Sequence, residues 1–80
     1  MNTTTLAQVL FASALQSSDN PSPAEVRTVI DHQLCVGDPS RWAAYVAQEA
    51  GDHPDSYVGR MRWALTCVHE AYNETRLVAA

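Results

Sequence analysis

A chain of 80 residues with 46% hydrophobic and 18% charged residues has the composition of one globular domain and leaves no room for a second. Its formal net charge of −4 argues against non-specific binding to nucleic acid or to an anionic membrane, because both require an excess of cations. The sequence contains neither an apolar run that would span a membrane nor the basic flank of a signal peptide, so we expect a cytoplasmic protein.

The first predicted helix covers about residues 4–15. Thr5 and Gln8 fit a capping box at its start. The segment 16–23 then collects Ser, Asp, Asn and Pro, which interrupt a helix because they bond to their own backbone or fix φ. Apolar residues recur at helical spacing in this first helix: Leu6, Val9, Leu10, Phe11, Ala14 and Leu15.

The second helix, 23–36, has the clearest start signal in the chain. Ser22 is placed to cap it, Pro23 takes the first helical position and Glu25 completes a capping box. We expect Gly37 to end it in a left-handed turn. Its predicted buried residues are Val26, Val29, Ile30, Leu34 and Cys35.

A third helix is predicted over 39–50. Asp38 is placed to cap it, and Pro39 occupies the first position, where the missing N–H has no helical partner to lose. Gly51 is expected to stop it. Its apolar residues are Trp42, Ala43, Tyr45, Val46 and Ala50.

The fourth helix, 54–73, is the longest, and we expect residues 1–3 and 74–80 to fray. The pattern predicts an all-α fold, a single compact four-helix domain over 1–80 with the last helix central. The amphipathic stripe of this helix consists of Tyr57, Val58, Met61, Ala64, Leu65, Val68, Ala71 and Tyr72.

Trp63 lies off this stripe and lines up instead with Gly59 and Cys67, its neighbours one turn away on either side. One interpretation is that another helix covers this second face, with Gly59 allowing a close approach. The other is that Trp63 is exposed and anchors a partner protein. We expect partial burial, with the edge of the indole ring exposed.

Residues 38–62 also have the spacing of a helix-turn-helix. Ala47 precedes the turn residue Gly51 by four positions, and the segment resembles the promoter-reading helices of sigma factors. The segment contains three arginines and four acidic residues, so repulsion between these acids and the phosphates opposes DNA binding. In this interpretation the DNA-contacting residues are Ser56, Gly59, Arg60 and Arg62.

The sequence predicts no metal site, no cofactor and no catalytic residue. His32 and Cys35 share a helix face, but Cys67 and His69 lie about 200° apart around a helix and cannot easily bind one ion. Both cysteines are expected to be buried free thiols. No nucleophile elbow or phosphate-binding loop is present. Helix capping explains the remaining cluster, which is Asp52, His53 and Asp55.

The chain resembles a group of small uncharacterised helical proteins from actinobacteria. The resemblance covers most of 6–68, although Ser17 stands where a proline is usual and Asp55 where a glutamate is usual. It implies a compact helical protein from a high-GC bacterium, in agreement with a chain that lacks lysine, and it implies no particular activity. The stretches that carry it are LFASALQSSDNPSP (10–23), VAQEAGDHP (46–54) and RMRWA (60–64).

We therefore predict a non-enzymatic regulatory or adaptor protein that binds a protein partner, or a second copy of itself, through the last helix. The predicted contact residues are Arg60, Trp63 and Cys67, with Arg62 beside them. The alternative is a helix-turn-helix nucleic-acid-binding protein formed by 39–50 and 54–73. The salt dependence of binding distinguishes the two hypotheses, because a DNA complex weakens steeply with added salt and an apolar interface does not.

Overall fold

The computed structural model describes residues 2–72 with their side chains, and of 73–79 only that they continue the last helix. The described residues form four α-helices with a 3-10 turn between the first two, and no strand. The predicted all-α four-helix domain is thus confirmed. The last helix continues to Ala79, so its predicted end at residue 73 is wrong, and the fraying expected for 74–80 stays a prediction. The helices are α1 (Thr3–Ala12), α2 (Pro23–Val36), α3 (Pro39–Asp52) and α4 (Pro54–Ala79), and the 3-10 turn is Ser17–Asp19.

The start of α1 is capped differently from the prediction. Asn2 is its N-cap, and the side-chain carbonyl oxygen accepts a hydrogen bond of 2.8 Å from the backbone N–H of Thr5. The capping box proposed for Thr5 and Gln8 is therefore wrong. Asn2 takes the role because its short amide side chain reaches the third N–H of a helix that begins at Thr3.

The end of α1 also differs, since the helix stops at Ala12 and does not continue over the predicted 4–15. The hydroxyl of Ser13 donates a 2.6 Å hydrogen bond to the carbonyl of Leu10. The same oxygen accepts a 3.3 Å bond from the backbone N–H of Leu15. Ser13 thereby competes with the helical hydrogen-bond pattern and ends the helix.

The structure confirms the predicted limits of α2 and its capping box. The N–H of Glu25 donates to Ser22 Oγ at 3.2 Å, and the N–H of Ser22 donates to Glu25 Oε1 at 3.3 Å. Gly37 follows the helix with φ −91° and ψ 170°, so the expected left-handed turn is wrong. A Cβ at Gly37 would lie 2.5 Å from Cζ2 of Trp42. Glycine is needed here for close packing rather than for its backbone angles.

The cap predicted for α3 is confirmed: Asp38 accepts hydrogen bonds from the backbone N–H of Ser40 at 3.0 Å and from its hydroxyl at 2.7 Å. Gly51 does not stop the helix as expected over 39–50. The helix continues to Asp52, because an exposed glycine weakens a helix without preventing its hydrogen bonds. His53 then serves as the C-cap.

Helices α1 and α4 form the central pair, since each packs against the other three helices. The buried positions 7, 9, 10 and 11 point in several directions around α1, so the rest of the domain surrounds this helix. The central position predicted for the last helix is confirmed. The buried core consists of Ala7, Val9, Leu10, Phe11, Val26, Ile30, Trp42, Val46, Ala64, Val68 and Ala71.

The buried line on α4 is narrower than the predicted stripe. Ala64, Val68 and Ala71 are buried, whereas Met61 and Leu65 on its flank are only partly buried. Two of the three central residues are alanines, which permit a short distance between helix axes. Val58, predicted to face the core, is one of the residues that the structure exposes to solvent, with 50% of its surface accessible. None of the described helices is long and apolar enough to cross a membrane.

Candidate functional site

Arg60 reaches from α4 to the end of α1. Its Nε and Nη2 donate hydrogen bonds of 3.1 and 2.8 Å to the carbonyl of Phe11. Nη2 also donates to the carbonyls of Ser13 at 3.1 Å and Leu15 at 2.9 Å. The last carbonyls of a helix have no partner within it, so this guanidinium acts as a cap supplied by another helix. The predicted contact residue therefore directs its Nε and Nη2 donors to carbonyls inside the chain.

The same guanidinium lies between two aromatic rings. Its central carbon is 5.2 Å from the ring centroid of Phe11 and 5.2 Å from that of Trp63. Both distances are within the range of cation–π attraction. Because the guanidinium is tied to three carbonyls, it supports the indole ring of Trp63 from a fixed position.

Trp63 itself is partly buried and packs against the edge of the core, as expected. It lies about 100° around α4 from its buried neighbour Ala64. One side of the ring therefore meets the domain and the other side remains accessible. Neither of the two extreme arrangements, complete burial or complete exposure, is found.

A cavity of about 230 Å³ opens beside the accessible side of Trp63, and we call it the Trp63 notch. Gly59 is exposed, and a Cβ built there would meet no atom within 4 Å. The close helix approach expected at Gly59 is thus wrong; the missing side chain instead leaves the backbone of α4 open to solvent. The residues lining the notch are Gln16, Ser17, Ser56, Gly59, Arg60 and Trp63.

The structure brings together only some of the predicted site residues. Arg62 is exposed, but it lies about 200° around α4 from Arg60 and so belongs to another side of the helix. Cys67 is one turn from Trp63 and partly buried. The predicted DNA-contacting set is split in the same way, because Ser56 and Gly59 line the notch whereas Arg62 does not.

The two cysteines differ in their surroundings. Cys35 is exposed and Cys67 is only partly buried, so the expectation that both thiols are buried is wrong for Cys35 and met only in part for Cys67. It lies on the outer side of α2 because the buried line of that helix passes through Val26 and Ile30. Burial, with a smaller effect from the carboxylate of Glu70, raises the pKa of the Cys67 thiol.

The acid–base groups near the turn between α3 and α4 do not form a convergent site. Nε2 of His53 is 3.8 Å from Oε2 of Glu49, and the histidine side chain is 65% exposed. A hydrogen bond to Glu49 and burial raise the pKa of the Tyr45 hydroxyl. Asp52 and Asp55 point into solvent. Within residues 2–72, no three metal-binding side chains come together.

A wider groove of about 450 Å³ lies between the end of α1 and α2. The two hydroxyl groups that line it already donate hydrogen bonds within the chain. That of Ser13 donates to the carbonyl of Leu10, and that of Thr28 donates to the carbonyl of Ala24 at 2.9 Å. His32 is the only titratable side chain among its lining residues. The groove therefore presents an apolar wall without a paired nucleophile and base.

Two lining residues of the notch, Gln16 and Ser17, were missed by the sequence analysis, and no local pattern would have identified them. They belong to the α1–α2 connection, and only the folded chain brings them beside α4. The tryptophan did carry a signal, since it interrupted an otherwise regular amphipathic pattern. Comparison with protein-family models, with curated proteins and with solved structures finds no match for this chain.

Proposed function

We propose that the chain is a non-enzymatic regulatory or adaptor protein that binds a partner protein through the Trp63 notch on its last helix. The observation that carries the proposal is a supported tryptophan beside an open stretch of helix backbone at Gly59. Tryptophan is the residue most enriched among those that dominate binding energy at protein interfaces. A ring already held in place by Arg60 loses little further freedom when a partner binds.

Gly59 supports the same proposal on energetic grounds. A glycine within a helix is less favourable than alanine by about 1 kcal/mol. Within the described residues, nothing beyond the adjoining backbone of α4 itself lies within 4 Å of the position a Cβ would take, so internal packing does not require a glycine here. Unlike Gly51, Gly59 lines the Trp63 notch, where the missing side chain leaves room for a partner side chain to approach the helix backbone.

The chemistry of the notch favours an apolar or aromatic side chain of the partner. Arg60 is its only charged lining residue, and this guanidinium is already bonded to three carbonyls. The hydroxyls of Ser17 and Ser56 and the amide of Gln16 border the notch and can bond to the partner's backbone. Insertion of an apolar group beside Trp63 would then supply most of the affinity.

Nucleic-acid binding by α3 and α4 is the weaker alternative, since Arg60 is engaged within the chain and three arginines face four acids over 38–62. The absence of catalysis, the cytoplasmic location and the resemblance to small actinobacterial proteins stay predictions.

A phage-displayed peptide library, screened against the immobilised protein, tests the proposal. We expect enriched peptides to share an apolar anchor residue and to bind Gly59→Ala roughly tenfold more weakly or worse, a loss of about 1.4 kcal/mol. The matched control is Gly51→Ala, because Gly51 is also an exposed helical glycine with no atom near its missing Cβ. It should bind like the wild type.

Thermal unfolding of the two glycine variants shows whether a loss of peptide binding reflects a loss of folded protein. Both should be at least as stable as the wild type, because alanine is the better helix former. A library that enriches no peptide, or peptides that bind Gly59→Ala and the wild type equally, would overturn the proposed site. Salt-sensitive binding of duplex DNA would favour the alternative instead.

A further inference from the structure

A second surface, away from the notch, lies where α2 ends and α3 begins. A cleft of about 340 Å³ opens there, and we call it the α2–α3 cleft. Val36 and Tyr45 border it and are 67% and 43% exposed. They are two of the three large hydrophobic residues that are exposed within the described part of the chain. The residues important here are Val36, Gly37, Asp38, Arg41, Trp42 and Tyr45.

The walls of this cleft are fixed by contacts within the chain. Trp42 is 7% exposed and packs so closely on the backbone of Gly37 that no Cβ fits between them. The ring of Tyr45 meets that of Phe11 edge-on, with centroids 6.0 Å apart. Exposed apolar groups on rigid supports are typical of interfaces, because little side-chain freedom is lost on binding.

The charges around the cleft indicate what fits it. Asp38 and Arg41 are its only charged lining residues, so the cleft has no net charge in a chain of net charge −4. On other surfaces fewer arginines are available to offset the acidic side chains, because Arg27 and Arg60 turn inward. Nη1 of Arg27, for example, donates a 2.6 Å hydrogen bond to the carbonyl of Ala71. Two copies whose clefts meet therefore bring together equal numbers of positive and negative lining residues, and the net charge of −4 opposes this contact less than one between two acidic faces.

A two-fold axis also makes the cleft complementary to itself. In such an interface, residue i of one copy meets residue j of the other, and j meets i. If Arg41 of each copy lies opposite Asp38 of the other, the dimer gains two equivalent ion pairs. Hydrogen bonds from Ser40 lower the pKa of Asp38 and so favour its carboxylate form.

We propose that the α2–α3 cleft is a self-association surface and that a second copy of this chain occupies it in a two-fold dimer. Val36 of each copy packs against Tyr45 of the other, and the Arg41–Asp38 pairs fix the register. The proposal does not depend on the Trp63 notch, because the two surfaces share no lining residue.

Sedimentation velocity of the full chain over a range of concentrations tests the proposal. The wild type should pass from 8.8 kDa to twice that mass as its concentration rises. Val36→Lys should stay a monomer, and its unfolding midpoint should equal that of the wild type at low concentration, where both are monomeric, because its side chain is largely solvated in the single copy. Val58→Lys is the matched control, since Val58 is exposed on α4 outside the cleft, and it should dimerise like the wild type.

A charge exchange tests the pairing itself. Arg41→Glu alone should dimerise roughly tenfold more weakly, because two acids then face each other at both contacts. Mixed with Asp38→Arg, it should form a heterodimer in which both pairs are restored. Asp38 also caps α3, so far-UV circular dichroism must show that Asp38→Arg folds; if it does not, the Val36 and Val58 comparison decides alone.

Three outcomes would overturn the proposal. The first is a wild-type chain that stays monomeric up to about 1 mM. Such a result means that dimerisation is favourable by less than about 4 kcal/mol. The second is a dimer that survives Val36→Lys. The third is a dimer that Val58→Lys disrupts as strongly as Val36→Lys does.

Discussion

Replacement of Arg60 by alanine should destabilise the domain strongly. The change removes four hydrogen bonds to the carbonyls of Phe11, Ser13 and Leu15, together with the contacts to two aromatic rings. It leaves the end of α1 without a partner for those carbonyls. The substitution therefore weakens the contact between the two central helices, α1 and α4, and does not merely alter α4 locally.

The magnitude follows from the number and setting of these bonds. A hydrogen bond contributes about 0.5–1.5 kcal/mol net, and somewhat more when one partner is charged. Because the site is only partly buried, water can replace part of what is lost, and we expect a destabilisation of about 2–4 kcal/mol. A domain of 80 residues has a free energy of unfolding of roughly 4–12 kcal/mol, so this is a large fraction of the total.

Urea denaturation followed by far-UV circular dichroism measures the effect as a shift in midpoint at constant slope. Arg62→Ala is the matched control, since Arg62 lies on the same helix but is exposed, and it should change stability by less than about 0.5 kcal/mol. Arg60→Lys should fall between the two, because an ammonium group cannot reach all three carbonyls as a planar guanidinium does. Equal losses for Arg60→Ala and Arg62→Ala would refute the capping role.

Three further changes test other parts of the structure. In urea denaturation, Ser22→Ala should cost about 1 kcal/mol and Ser22→Asp almost nothing, because aspartate also caps a helix; equal losses would contradict the cap. Gly37→Ala should cost about 1–3 kcal/mol in the same measurement because its Cβ collides with Trp42 and with the carbonyl oxygen of Gln33, and a neutral effect would contradict this close packing. At neutral pH an aromatic disulfide reagent should modify Cys35 faster than Cys67, whose raised pKa leaves less thiolate, and the opposite order would disprove the burial of Cys67.

The sequence by itself determined the four helices and the starts of the last three, whereas the ends of α1, α3 and α4 differ from the prediction. Ser22 with Glu25, and Asp38 before Pro39, act within one turn of backbone, so the information is local and readable in the order of residues. The apolar periodicity likewise predicted the all-α fold. Trp63 was recognised as an exception to that periodicity, and the structure leaves it partly buried.

Only the tertiary structure decided what the exceptional residues do. Arg60 lies 49 positions from Phe11, so no local pattern reveals that it caps α1 and supports Trp63 from within the chain. The same holds for Gly37, which is required by a tryptophan on the next helix, and for Gly59, which no helix approaches. Such roles depend on the angles and distances between helices, and these are set by the packing of the whole core at once.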